Sequence, residues 1–184
     1  KSVFGHSVRQ SGVLVLDVEQ DPNGAADRWR KMFRGLYIEH PPANLYTAFS
    51  WPPLDDGGFQ KIADFLVEHP HVQLVVVDTL AQAMNMPDGG GNAYFTDSKT
   101  MGKFTRFAKE YGIAFLVVTH TRKSQGTDNF ADMASGSRGI TGPARARWGL
   151  TVDEETGRGR LQVGGKLPSC ILSMSFDKEL LLWR

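Results

Sequence analysis

Apolar residues along this chain fall into short continuous runs, and stretches with helical spacing lie between them. Val13–Val18 (VLVLDV), Val72–Val77 and Ile113–Val118 are the strongest runs, and the second is β-branched almost throughout. Near-continuous apolar runs of this length are what a strand buried on both faces of a parallel sheet requires. Asn44–Phe49 is a weaker strand, closed by Trp51-Pro52-Pro53. Asp21-Pro22 reads as a helix N-cap followed by proline at the first helical position; that helix runs to Arg34 and Gly35 ends it. Asp55 and Asp56 open a second helix, with Phe59, Ile62, Ala63 and Leu66 on one apolar face and His69-Pro70 as its stop. Pro87–Asn92 is a Gly-rich loop. A third helix, roughly Asp97–Tyr111, presents Met101, Phe104, Ala108 and Tyr111 and stops at Gly112.

The last third changes period. Trp148–Val152, Arg160–Val163, Ile171–Phe176 and Leu180–Trp183 read as short strands, with turns at Thr156-Gly157 and Asp177-Lys178. The order predicts an α/β fold: a mostly parallel central sheet flanked by helices, with C-terminal antiparallel strands extending that sheet.

Composition narrows the function classes. The 184 residues are 41% hydrophobic and 22% charged, with a net charge of +1. Bulk charge therefore points to no nucleic-acid partner, and any such partner needs a local basic patch. The single cysteine, Cys170, rules out an internal disulfide framework and fits a reducing compartment. No apolar run approaches the roughly 18 residues of a membrane span. A cytoplasmic protein is the default expectation. The first residue is Lys1, so a processed chain or a fragment is expected.

The candidate chemistry lies at strand ends. Asp78 ends the strongest strand, and a carboxylate there faces the crevice where open α/β sheets bind ligands. It can hold a Mg²⁺ water shell beside phosphates, or it can merely cap the next segment. Glu19 and His120 follow the other two runs. If the three strands are neighbours, Glu19, Asp78 and His120 converge on one edge. Glu19 can then activate a water and His120 can sense a γ-phosphate; the alternatives are a surface ion pair and a satisfied polar residue. Arg122, Lys123, Arg138, Arg145 and Arg147 stand against only Asp128 and Asp132 in a Gly/Ser-rich segment. They can face DNA phosphates or a neighbouring subunit's nucleotide, or form a solvated loop. His69 and His71 can share a face, but no nearby Cys or carboxylate cluster supports a metal site. Trp29, Trp51, Trp148 and Trp183 read as packing residues.

The order VVVDT, FLVVTHTRK, SGSRGITGPARARWGL and a terminal strand pair with Gly165-Lys166-Leu167-Pro168 resembles the RecA-like ATPases. Within them it resembles plasmid RepA-type and DnaB-like hexameric replicative helicases and related phage or plasmid ATPases, over roughly Val13 to Arg184. The resemblance implies one RecA-like domain over residues 1–184, ATP and Mg²⁺ as cofactors, a ring-shaped homo-oligomer, and single-stranded DNA as partner. It implies Asp78 as the Walker B aspartate, Glu19 as the catalytic glutamate and His120 as the phosphate sensor. Arg122 and Lys123 fall in the segment that in such hexamers lies near DNA or a subunit interface, and Lys166 near the terminal-strand position from which related helicases can reach a neighbour's nucleotide. Arg138, Arg145 and Arg147 are the candidate DNA contacts.

Two features depart from the family pattern. No G-x-x-x-x-G-K-[ST] occurs in the 184 residues. That loop cradles phosphates through backbone N–H groups and its Lys. Lys1-Ser2 matches only its last two positions, which makes Lys1 and Ser2 candidate phosphate and metal contacts and the phosphate-loop segment missing or truncated. Arg145 and Arg147 add charge where the family often carries small or acidic residues, which favours a phosphate or DNA contact. Two functions follow: an ATP-hydrolysing replication motor, or a catalytically degenerate RecA-like module for DNA binding or protein recruitment.

Overall fold

The computed structural model describes residues 2–3, 6–84, 93–120, 143–153, 155–166 and 168–184. The chain forms two compact units, one from Lys1–Asp21, Pro42–Met86 and Ala108–Val118, the other from Pro22–Pro41, Pro87–Phe107 and Thr119–Arg184.

The first unit is built on a parallel sheet. After a short antiparallel pair of β1 (Ser2–Val3) and β2 (His6–Ser7), its strands are β3 (Gly12–Asp17), β4 (Leu45–Ala48), β5 (Val72–Asp78) and β6 (Ala114–Val117), in the order β4-β3-β5-β6. The two strongest apolar runs therefore occupy the centre. Leu14, Leu16, Val75 and Val77 are at most 2% exposed, and fully burying such a side chain stabilises by about 1.5–3 kcal/mol. Gly12 and Val13 pair with Val72 and Leu74, so Gln73 is an extra residue at a bulge.

Helix α2 (Phe59–Glu68) crosses from β4 to β5, as a parallel connection must. It buries Ile62, Ala63 and Leu66, and Phe59 meets Phe115 of β6 edge to face. The sequence places this helix start at Asp55 and Asp56. Instead, Leu54–Gly58 is a π-type turn, with Asp56 at φ −127° and Gly57 at φ +82°, and the α-helix begins at Phe59. Gly58 packs so closely that an added Cβ would stand 2.5 Å from the Pro52 carbonyl oxygen. The two glycines override the capping preference of the aspartates. A four-residue helix α3 (Leu80–Ala83), absent from the sequence reading, follows β5 directly.

Helix α4 (Ala93–Tyr111) begins four residues before the expected start at Asp97, since no helix-breaking residue lies between. Its end is as expected: Gly112 sits at φ +65° and the Ile113 N–H reaches back to the Ala108 carbonyl at 3.1 Å. The Gly-rich loop 87–92 lies outside the described residues.

The second unit holds α1 (Pro22–Gly35) and an antiparallel sheet of β7 (Ala146–Val152), β8 (Arg158–Gly165), β9 (Cys170–Asp177) and β10 (Leu182–Trp183), ordered β10-β9-β8-β7. These strands form a sheet of their own, which corrects the expected extension of the parallel sheet. Tight turns make pairing between successive strands the cheapest closure, whereas 27 residues lie between Val118 and Ala146. Trp29 stacks on Phe33 and Trp183 packs at a tilt against Phe176, as packing residues should, but Trp148 is 54% exposed. Among the described residues no helix is long and apolar enough to cross a membrane.

Candidate active site

The three apolar strands end together. β5 lies between β3 and β6, with Leu16 opposite Val77 and Val77 opposite Val117. Beyond the strands, Val18 N–H donates to the Asp78 carbonyl at 3.0 Å and Val118 N–H to the Val77 carbonyl at 2.9 Å. The adjacency on which convergence depends is thus present.

Asp78 is half-buried at the tip of β5, and the Asp78–Thr79 peptide bond is cis. Its register partner on β3 is Asp17, also half-buried, with its Oδ1 inaccessible to solvent. Register partners on parallel strands point to the same face, so two carboxylates share this edge. The sequence reading missed Asp17, because an Asp inside an apolar run gives no hint of its cross-strand neighbour. Glu19 is exposed, two residues beyond Asp17. His120 is exposed, two residues beyond Val118.

Among the described residues no three His, Cys, Asp or Glu side chains gather as a metal-holding group. That is compatible with Mg²⁺, which keeps most of its waters and takes one or two protein carboxylates together with substrate phosphates. The donor set at this edge, Asp78 beside Asp17, is of that kind.

The turn after β5 is fastened from β6: Leu80 N–H donates to the Val118 carbonyl at 2.9 Å. At the carboxyl side of β4, Trp51 donates its indole N–H to the Gly58 carbonyl at 3.1 Å, and the Lys61 ammonium lies 4.5 Å from its ring centroid. At the opposite edge, His69 packs on Phe65 and Tyr46, and the Tyr46 hydroxyl meets His71 Nε2 at 3.1 Å. These histidines belong to an aromatic cluster.

The basic candidates divide. Lys1, Arg122, Lys123 and Arg138 lie outside the described residues, as does the side chain of Ser2. Arg145 and Lys166, far apart in sequence, come together at one end of the β7–β8 ladder, where Lys166 N–H donates to the Arg145 carbonyl at 2.9 Å. Both are exposed. Arg147, half-buried two residues on, pairs with Gly164. Its Nε is buried and has no hydrogen-bond partner among the described residues. Three cations thus gather on one end of this sheet.

Residues 1–126, more than half of the chain, match the family model of the AAA domain. No curated protein matches the chain.

Proposed function

Because the chain belongs to the AAA-domain family, a family of nucleotide-binding ATPases, we propose that it binds and hydrolyses Mg²⁺–ATP as the motor domain of a ring-forming DNA helicase or related replication ATPase. The observation that carries this reading is Asp78 at the tip of the central parallel strand, in register with Asp17. Ligands of open α/β sheets bind outside the carboxyl ends of the strands, and that is where both carboxylates stand.

The roles follow from position. Asp78 holds the water shell of Mg²⁺, which screens the phosphates when bound. Asp17 adds negative charge that strengthens its attraction for the cation. Glu19 orients and deprotonates the attacking water. His120 responds to the terminal phosphate through a hydrogen bond. Lys1 and Ser2 match the last two positions of a phosphate loop, and Arg122, Lys123 and Lys166 are candidates to reach a neighbour's nucleotide. Arg145 and Arg147, with Arg138, supply the single-stranded DNA contact; the basic end of the antiparallel sheet supports this part. A cytoplasmic location fits such a role.

A second reading, a RecA-like module that binds DNA or recruits proteins without hydrolysis, draws support from the basic end of the antiparallel sheet, where Arg145 and Lys166 are exposed. Asp78→Asn in the full-length protein separates the two. The motor reading expects DNA-stimulated Mg²⁺–ATP turnover that falls by on the order of 100-fold in the variant, with an unchanged circular dichroism spectrum. A wild-type protein that binds DNA and never turns over ATP establishes the second reading instead.

A further inference from the structure

Thr79 follows Asp78 at the carboxyl end of β5 and is 3% exposed. Its Oγ1 is buried and has no hydrogen-bond partner among the described residues. Threonine before a helix ordinarily uses its hydroxyl as a cap, accepting from an N–H two or three residues on. The backbone here suits that use: Thr79 has the extended φ −114° and ψ 167° of an N-cap, and its carbonyl accepts from Ala83 N–H at 3.0 Å. The hydroxyl nevertheless makes no cap bond. A buried hydroxyl left unbonded forfeits its hydration without a replacement partner, a cost that valine, with nearly the same shape, would avoid.

The cost is borne next to the carboxylate that the nucleotide reading assigns to the metal. We propose that Thr79 is a further ligand contact of this edge, its hydroxyl donating a hydrogen bond to a terminal-phosphate oxygen of a nucleoside triphosphate held beside Asp78. The inference rests on the nucleotide reading. An anionic oxygen is the acceptor that best compensates such a donor, since charge-assisted hydrogen bonds are roughly twice as strong as neutral ones. The bond forms only when the terminal phosphate is present, so Thr79 distinguishes triphosphate from diphosphate.

The test uses the full-length protein with Thr79→Val and Thr79→Ser. Thermal unfolding is followed without ligand, and affinities are measured for Mg²⁺–AMP-PNP and Mg²⁺–ADP. Thr79→Val is expected to melt at or above the wild-type temperature without ligand, because it removes an unbonded buried hydroxyl. Its affinity for AMP-PNP is expected to fall about ten-fold or more, with ADP affinity unchanged. Thr79→Ser keeps AMP-PNP binding. If Thr79→Val does not fold, Thr79→Ala supplies the same AMP-PNP-against-ADP comparison. Equal AMP-PNP affinity in the hydroxyl-free variant and the wild type, or an equal loss for both nucleotides, overturns the Thr79 contact while leaving the nucleotide reading intact. A wild-type protein that binds neither nucleotide overturns both.

Discussion

Asp17 on β3 and Asp78 on β5 are register partners on adjacent parallel strands, so two half-buried carboxylates stand side by side at one sheet edge. Like charges in such a position repel, and a divalent cation relieves the repulsion. Asp17→Asn is therefore expected to raise the melting temperature in EDTA, by about 3 °C for each ~1 kcal/mol relieved in a chain of this size. The same variant should gain less than the wild type from Mg²⁺–ATP. Scanning calorimetry in EDTA and in Mg²⁺–ATP reads both. A variant that melts lower than wild type in EDTA would show that Asp17 stabilises the edge by itself.

Arg145 and Lys166 form the exposed part of the basic end of the antiparallel sheet, and Arg147 the half-buried part. Replacing Arg145 by alanine should weaken single-stranded DNA binding and flatten its salt dependence. The slope of log K against log salt should fall by about 0.7, the contribution of one phosphate contact on a single strand. Arg147→Met should leave stability unchanged or raise it, because it removes a buried guanidinium nitrogen that makes no hydrogen bond among the described residues. Titrations at several salt concentrations and urea midpoints check the two halves separately. An unaltered slope in the Arg145→Ala variant removes Arg145 from the DNA interface.

How much of this was legible in the sequence depends on whether a feature is local. Val13–Val18 and Val72–Val77 announced themselves because a strand buried on both faces needs an almost unbroken apolar run. Asp78 stood out as the polar residue that ends such a run. Gly112 was legible for the same reason: a single backbone position requires it. The pairing Asp17–Asp78, the bulge at Gln73 and the meeting of Arg145 with Lys166 depend on register between strands distant in sequence, which no local pattern encodes. Thr79 was read only as the residue after Asp78. Its missing cap bond exists only in three dimensions. The start of α2 was misread because Asp55 and Asp56 look like caps, while the deciding geometry belongs to Gly57 and Gly58.

Gly159 on β8 leaves the space that the Trp183 ring of β10 fills: an added Cβ would stand 2.4 Å from the ring's Cζ3. Trp183 in turn packs at a tilt against Phe176 of β9, 4.8 Å between centroids, so neither ring can retreat without loss. Gly159→Ala should destabilise the fold by about 1–3 kcal/mol, the usual cost of overpacking. Urea unfolding followed by tryptophan fluorescence measures it. A cost below ~0.5 kcal/mol would place Trp183 on a loose edge rather than in a packed position.

Asp153 closes the turn between β7 and β8. Its Oδ1 accepts the backbone N–H groups of Glu155 and Thr156, each at 3.0 Å. The hydrogen bonds from Thr156 above all, with those from Glu155 and the charge of Arg158 adding to them, hold its carboxyl below the usual carboxylate range. The charged form is the one favoured by folding, so its contribution is fully present above the unfolded value of about 3.9 and is lost as pH falls through the lower folded value. Asparagine offers the same turn an acceptor oxygen that does not titrate. The wild type should therefore lose its advantage over Asp153→Asn as the pH is lowered from about 6 to about 3, with the change concentrated below about 4. Urea midpoints of the two proteins across that range decide the matter. Midpoints that move in parallel at every pH would mean that the carboxylate is bonded equally well in the unfolded chain.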